Sequence, residues 1–169
     1  MKSTLNILIT IGLILGGVLG MAGSLIAQAN LRAAFWGIDG VGVIVATALL
    51  TLKFHRAGND LVAGGFLVYT LGESIMLTGT PGTLQASVPA FGAGVALWSA
   101  GLLLVSIPRT YAIWARATGV ISAVLFAIVA AQVFWGVPLD PITKPLPGFA
   151  YPFLVLTFLG WIMHTLKSA

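Results

Sequence analysis

The chain has 169 residues, of which 59% are hydrophobic and only 7% charged, with a formal net charge of +4. Soluble domains carry about 25% charged residues, because a solvated surface needs them, so this composition excludes an ordinary globule in water. The absence of cysteine excludes disulfides, thiolate metal sites and cysteine nucleophiles.

The basic balance does not point to nucleic acid. Lys and Arg are spread singly between apolar runs, as charges flanking membrane helices are, and form no patch. The partner this implies is a lipid bilayer, with no nucleic acid.

A spanning helix needs roughly 17–25 mostly apolar residues. Six stretches qualify or come close: Leu5–Ala27, Phe35–Leu52, Leu61–Thr78, Val88–Ile107, Thr118–Trp135 and Phe149–Leu166. In the first, Lys2, the apolar run and Ala27-Gln28-Ala29 resemble a signal peptide with a small-residue cleavage site. Signal h-regions run to about 7–15 residues, and this run is longer, so it reads as the first membrane helix. Barrel strands would alternate apolar and polar residues, whereas these runs are continuous. The expected fold is all-α: one polytopic transmembrane domain over 1–169, with about six helices.

The connections carry helix breakers. Asn59 or Asp60 can cap the third helix. Gly79-Thr80-Pro81-Gly82 begins the next turn, and Pro108 ends the fourth helix or begins the fifth. The longest loop, Gly136 to Gly148, contains Pro138, Pro141, Pro145 and Pro147 and is expected to be extended and semi-rigid.

Charge sets the expected orientation. With the N-terminus inside, Lys2, Lys53, Arg56, Arg109, Arg116 and Lys167 fall on the inner side, against Arg32 and Lys144 outside. This bias predicts both termini in the cytoplasm, in a bacterial-type inner or plasma membrane. Trp36, Trp135 and Tyr151 near outer ends, and Tyr111 and Trp114 near an inner end, read as an aromatic belt.

Small residues let membrane helices approach closely. Gly12, Gly16, Gly20 and Ser24 share one face of the first helix, and Gly92, Ala96 and Ala100 one face of the fourth. Such faces serve tight packing within the chain, or an interface in a homo-oligomer or larger membrane complex. At an offset of 87, Phe66-Leu67-Val68 matches Phe153-Leu154-Val155, and Thr70, Ile75, Met76 and Thr78 match Thr157, Ile162, Met163 and Thr165. These lie on the third and sixth helices, which fits a three-plus-three inverted repeat of the kind transporters use. The other two helix pairs show no match at that offset.

Asp39 and Glu73 stand out because a carboxylate inside an apolar segment costs about 2.5–3.5 kcal/mol near its centre. Each is about five residues in from the outer end of its run, roughly 7 Å deep at the helical rise. The two helices are joined by a short loop, so the acids can face each other and share a proton or a cation. Arg32 is the alternative partner for the acids, and Tyr69, one turn before Glu73, can donate a hydrogen bond to it. Gln28, Asn30, Gln85, Gln132, Asp140 and Lys144 fall at the same level and outline a polar vestibule open to the outside.

His55 and His164 could ligate haem, although a loop histidine does this poorly, and an interfacial position suits both better. Lys53, His55 and Arg56 suit lipid head groups. No phosphate loop, zinc motif or nucleophile elbow occurs, so an enzyme is disfavoured and no cofactor is expected. The leading expectation is a small transporter or permease for a cation, proton or small polar solute, using Asp39, Glu73, Tyr69, Arg32 and Gln132. The alternatives are a non-catalytic subunit packing through Gly12, Gly16 and Gly20, and a haem-binding or enzymatic membrane protein.

Overall fold

The computed structural model describes residues 4–79 and 83–167. They contain six helices long and apolar enough to cross a membrane: α1 (Thr4–Leu25), α2 (Ala29–Arg56), α3 (Asp60–Gly79), α4 (Leu84–Ser106), α5 (Ile113–Phe134) and α6 (Leu146–Lys167). Among the described residues there is no strand. Lys2 and the stretch Thr80-Pro81-Gly82, both used in the sequence reading, lie outside the described residues.

The boundaries fall within three residues of the apolar runs for α1, α3 and α6, whereas α2, α4 and α5 begin six, four and five residues earlier. Helix α2 begins at Ala29 rather than Phe35, because Ala29–Ala34 contains good helix formers that wind the chain before it becomes apolar. Asp39 is therefore ten residues along α2, about 15 Å from its start, and deeper than the sequence implied. Asn59 caps α3 as expected, its Oδ1 accepting from the Val62 N–H at 3.4 Å.

Consecutive helices are joined by short links and pack side by side, and α6 closes against α1, so the six form a ring. Aromatic side chains fill its interior. Tyr69 of α3 stacks on Trp98 of α4, with ring centroids 5.3 Å apart, and Trp161 of α6 meets Phe66 of α3 edge-on at 4.8 Å. The outer faces expose residues such as Ile11, Val18, Ile38, Val41, Leu67 and Val124. Apolar groups outside and a partly polar inside reverse the pattern of a water-soluble bundle.

Close helix approaches follow glycine, though not always the expected glycines. On α1 the face of Gly12, Gly16 and Gly20 lies against α2, inside the chain. A β-carbon on Gly12 would collide with the Gly42 carbonyl, and one on Gly16 with Val43. On α4, a β-carbon on Gly92 would come 2.6 Å from Val133 of α5, as close packing on that face requires, but Ala100 is exposed. Instead, Gly94 and Gly101 meet α3, where a β-carbon on Gly72 would come 2.8 Å from the Gly94 carbonyl. Hydroxyls link neighbouring helices within the ring. Thr70 Oγ1 is 2.8 Å from Thr47 Oγ1, and Thr157 Oγ1 is 3.0 Å from Thr118 Oγ1.

Two further expectations are corrected. The 136–148 loop is folded rather than extended. The Asp140 N–H donates to Thr143 Oγ1, the Thr143 N–H donates back to the Asp140 carbonyl, and Leu146 is buried. In the aromatic belt, Trp135 is exposed at a helix end, whereas Tyr111 and Tyr151 are buried. The interior of a ring this rich in glycine has room that large rings can fill.

Candidate acidic site

The site starts from a break in α1. Between the α-helical stretches Thr4–Leu15 and Met21–Leu25 runs a π-helical turn, Gly16–Gly20. Such turns are frequent at functional sites. Here the turn sets two glycines beside α2 where the Asp39 carboxylate projects. A β-carbon on Gly20 would come 2.7 Å from Asp39 Oδ2, and one on Gly16 would come 3.3 Å from Oδ1.

Glu73 reaches the same place from α3. A β-carbon on Gly40, next to Asp39, would be 3.2 Å from Glu73 Oε1. Asp39 and Glu73 line two adjoining cavities together, of about 50 Å³ and about 10 Å³. Glu73 is 4% exposed, and its Oε2 is buried with no hydrogen-bond partner. Among the described residues the one ion pair is His55 with Asp60, at 2.9 Å. Among the described residues no cationic side chain pairs with either acid.

The remaining expected residues divide. Tyr69 lines the smaller cavity beside both acids. It does not donate to Glu73, because its ring is held in the stack on Trp98 and its hydroxyl has no partner. Arg32 does not pair with the acids. Its Nη1 donates to the Ile26 carbonyl at 3.1 Å and its guanidinium lies 5.6 Å from the Trp36 ring, so it braces the α1–α2 elbow. Gln132 is exposed on α5 and lines neither acid cavity, because the inward face of α5 is taken by Ala123, Phe126 and Val129.

A polar vestibule is present, with a different membership. Asn30, Arg32, Thr83, Gln85 and Ser87 line a cleft of about 640 Å³ between the start of α2 and the start of α4. Trp36 and Ser87 belong both to this cleft and to the 50 Å³ cavity.

The sequence reading missed most of the wall. Trp36 and Tyr151, assigned to a belt, and Phe91 and Trp98, not singled out, all line the 50 Å³ cavity. The spacing Ser87, Phe91, Trp98 places three wall residues on one face of α4. That spacing was the available signal, but it carries nothing without knowing which face turns toward the acids.

The histidines are otherwise engaged. His55 pairs with Asp60, and His164 packs edge-on against Tyr111 at 4.8 Å. Comparison of the chain with protein-family models, with curated proteins and with solved structures yields no match.

Proposed function

We propose that the chain crosses a lipid bilayer six times as one domain, with both termini cytoplasmic, in an inner or plasma membrane. It serves there as a small transporter or permease for a cation, proton or small polar solute held at Asp39 and Glu73. The observation that carries this reading is a pair of carboxylates at one cavity inside an apolar ring, with no cationic partner among the described residues. Intramembrane acids without a structural role mark substrate and ion pathways, and the cleft at Trp36 and Ser87 gives the pair a neighbouring polar space.

A three-plus-three inverted repeat remains part of the proposal. Its support is that Thr70 and Thr157, related by the offset of 87, each reach the preceding helix through a threonine. The partners stand at different registers, Thr47 nine residues before the end of α2 and Thr118 five after the start of α5, which weighs against strict symmetry. Assembly with other subunits would need a surface other than the Gly12, Gly16 and Gly20 face, which α2 covers.

Flux in proteoliposomes, followed with an internal pH-sensitive dye under imposed cation and proton gradients, tests the proposal. Glu73→Gln and Asp39→Asn are each expected to abolish it. Wild-type flux in both variants would overturn the reading.

A further inference from the structure

We propose that the cavity between Asp39 and Glu73 binds a small organic cation carrying N–H donors, of the guanidinium or methylammonium type, rather than a metal ion. This rests on the reading of the acid pair as a cation site and names its ligand class.

The unmet hydrogen bonding comes first. Glu73 Oε2 is a buried acceptor without a donor, and buried acceptors are seldom left so. The Trp98 indole N–H in the same wall is a neutral donor, but among the described residues no Lys, Arg or His lines the cavity, so positive charge has to come with the ligand.

The wall then discriminates between cations. Side-chain oxygens come only from Asp39, Glu73, Ser87 and Tyr151, four residues in all. Ca²⁺ takes 6–8 oxygen ligands and Mg²⁺ wants an octahedron. Among the described residues no three His, Cys, Asp or Glu side chains are grouped as a metal site. Trp36, Phe91, Trp98 and Tyr151 supply aromatic surface instead. Aromatic surface favours cations that shed water readily, through cation–π attraction, and guanidinium is weakly hydrated and planar, with N–H groups that match carboxylates.

Size sets the upper limit. One water needs about 10–15 Å³ of such space, so a cavity of about 50 Å³ takes a ligand of about four heavy atoms.

The test uses the full chain in detergent, titrated at constant ionic strength with guanidinium chloride and methylammonium chloride in the low-millimolar range. Tryptophan fluorescence is the readout, since Trp36 and Trp98 stand in the wall. One of the two salts is expected to give a saturable change that NaCl, CaCl₂ and tetramethylammonium chloride do not. Glu73→Gln should weaken it at least about tenfold, as loss of a charged partner does, and Phe91→Leu about threefold to tenfold, as loss of one cation–π contact does. If Glu73→Gln does not elute as a folded protein, Asp39→Asn takes its place. Saturation by Na⁺ or Ca²⁺ alone, dependent on Glu73, would overturn the ligand class and leave the acid pair a cation site. No saturation by any salt, with flux still abolished in Glu73→Gln, would overturn it in favour of protons. An organic-cation signal surviving in both acid variants would also overturn it, by placing binding elsewhere.

Discussion

Gly20 of α1 and Asp39 of α2 occupy one space: the carboxylate sits where a β-carbon on Gly20 would come within 2.7 Å of Oδ2. The π-helical turn and the missing side chain together make the slot. Gly20→Ala is expected to destabilise the chain by about 1–3 kcal/mol, as overpacking does, and to impair flux by displacing Asp39. Gly17→Ala is the control, because its β-carbon would meet Phe158 and Val155 at 3.8–3.9 Å, an ordinary contact. Thermal unfolding in detergent, read beside flux, checks both. Equal losses from the two variants would show that the slot is not specific to Asp39.

The acid pair carries a stability penalty that substitution should reveal. A buried, unpaired carboxylate costs more than a neutral amide of the same shape. Glu73→Gln is therefore expected to raise the midpoint of thermal unfolding while abolishing flux. A fall in the midpoint would mean that Glu73 supports the structure through contacts the amide cannot reproduce.

Orientation can be read with single cysteines, because the chain has none of its own. Ala57 and Val137 are both exposed, in the α2–α3 and α5–α6 connections respectively. With both termini inside, a membrane-impermeant maleimide applied to intact cells is expected to label Val137→Cys and to spare Ala57→Cys. The opposite pattern would invert the topology.

Tyr111, in the α4–α5 connection, sits among Phe54, Trp161 and His164 with its hydroxyl buried and unpartnered. Burial pushes its phenol well above the ordinary range. A phenol raised in the folded state favours folding below the unfolded value of about 10, and that stability is lost as pH rises beyond it. Tyr111→Phe removes the orphaned hydroxyl and is expected to stabilise by about 1 kcal/mol, with less loss above about pH 10 than the wild type shows. Unfolding midpoints measured across that range check it.

Much of the architecture was legible in the chain because each element answers to a local rule. The continuous apolar runs fit helices of spanning length, and Asn59 ahead of Asp60 fits a cap. The two acids attracted attention because a charge in such a run is costly. What surrounds them was not legible. Trp36 and Tyr151 have the composition and position of belt residues, yet the Trp36 ring lies in the space beside Gly23 and Tyr151 is buried. Arg32 looked like a counter-charge, but the elbow at Ile26 offers its guanidinium a carbonyl. Gln132 is at the right level on a helix face that turns away.

The sequence by itself determined six apolar helices, their order and the two carboxylates placed within them, since hydropathy, breakers and charge are properties of short stretches. Tertiary structure alone decided that Asp39 and Glu73 face one cavity, that a glycine turn of α1 makes room for Asp39, and that aromatic rings rather than Arg32 and Gln132 complete the wall. Those outcomes depend on how helices rotate about their axes when they pack, and that rotation is set by close contacts between residues far apart in the chain.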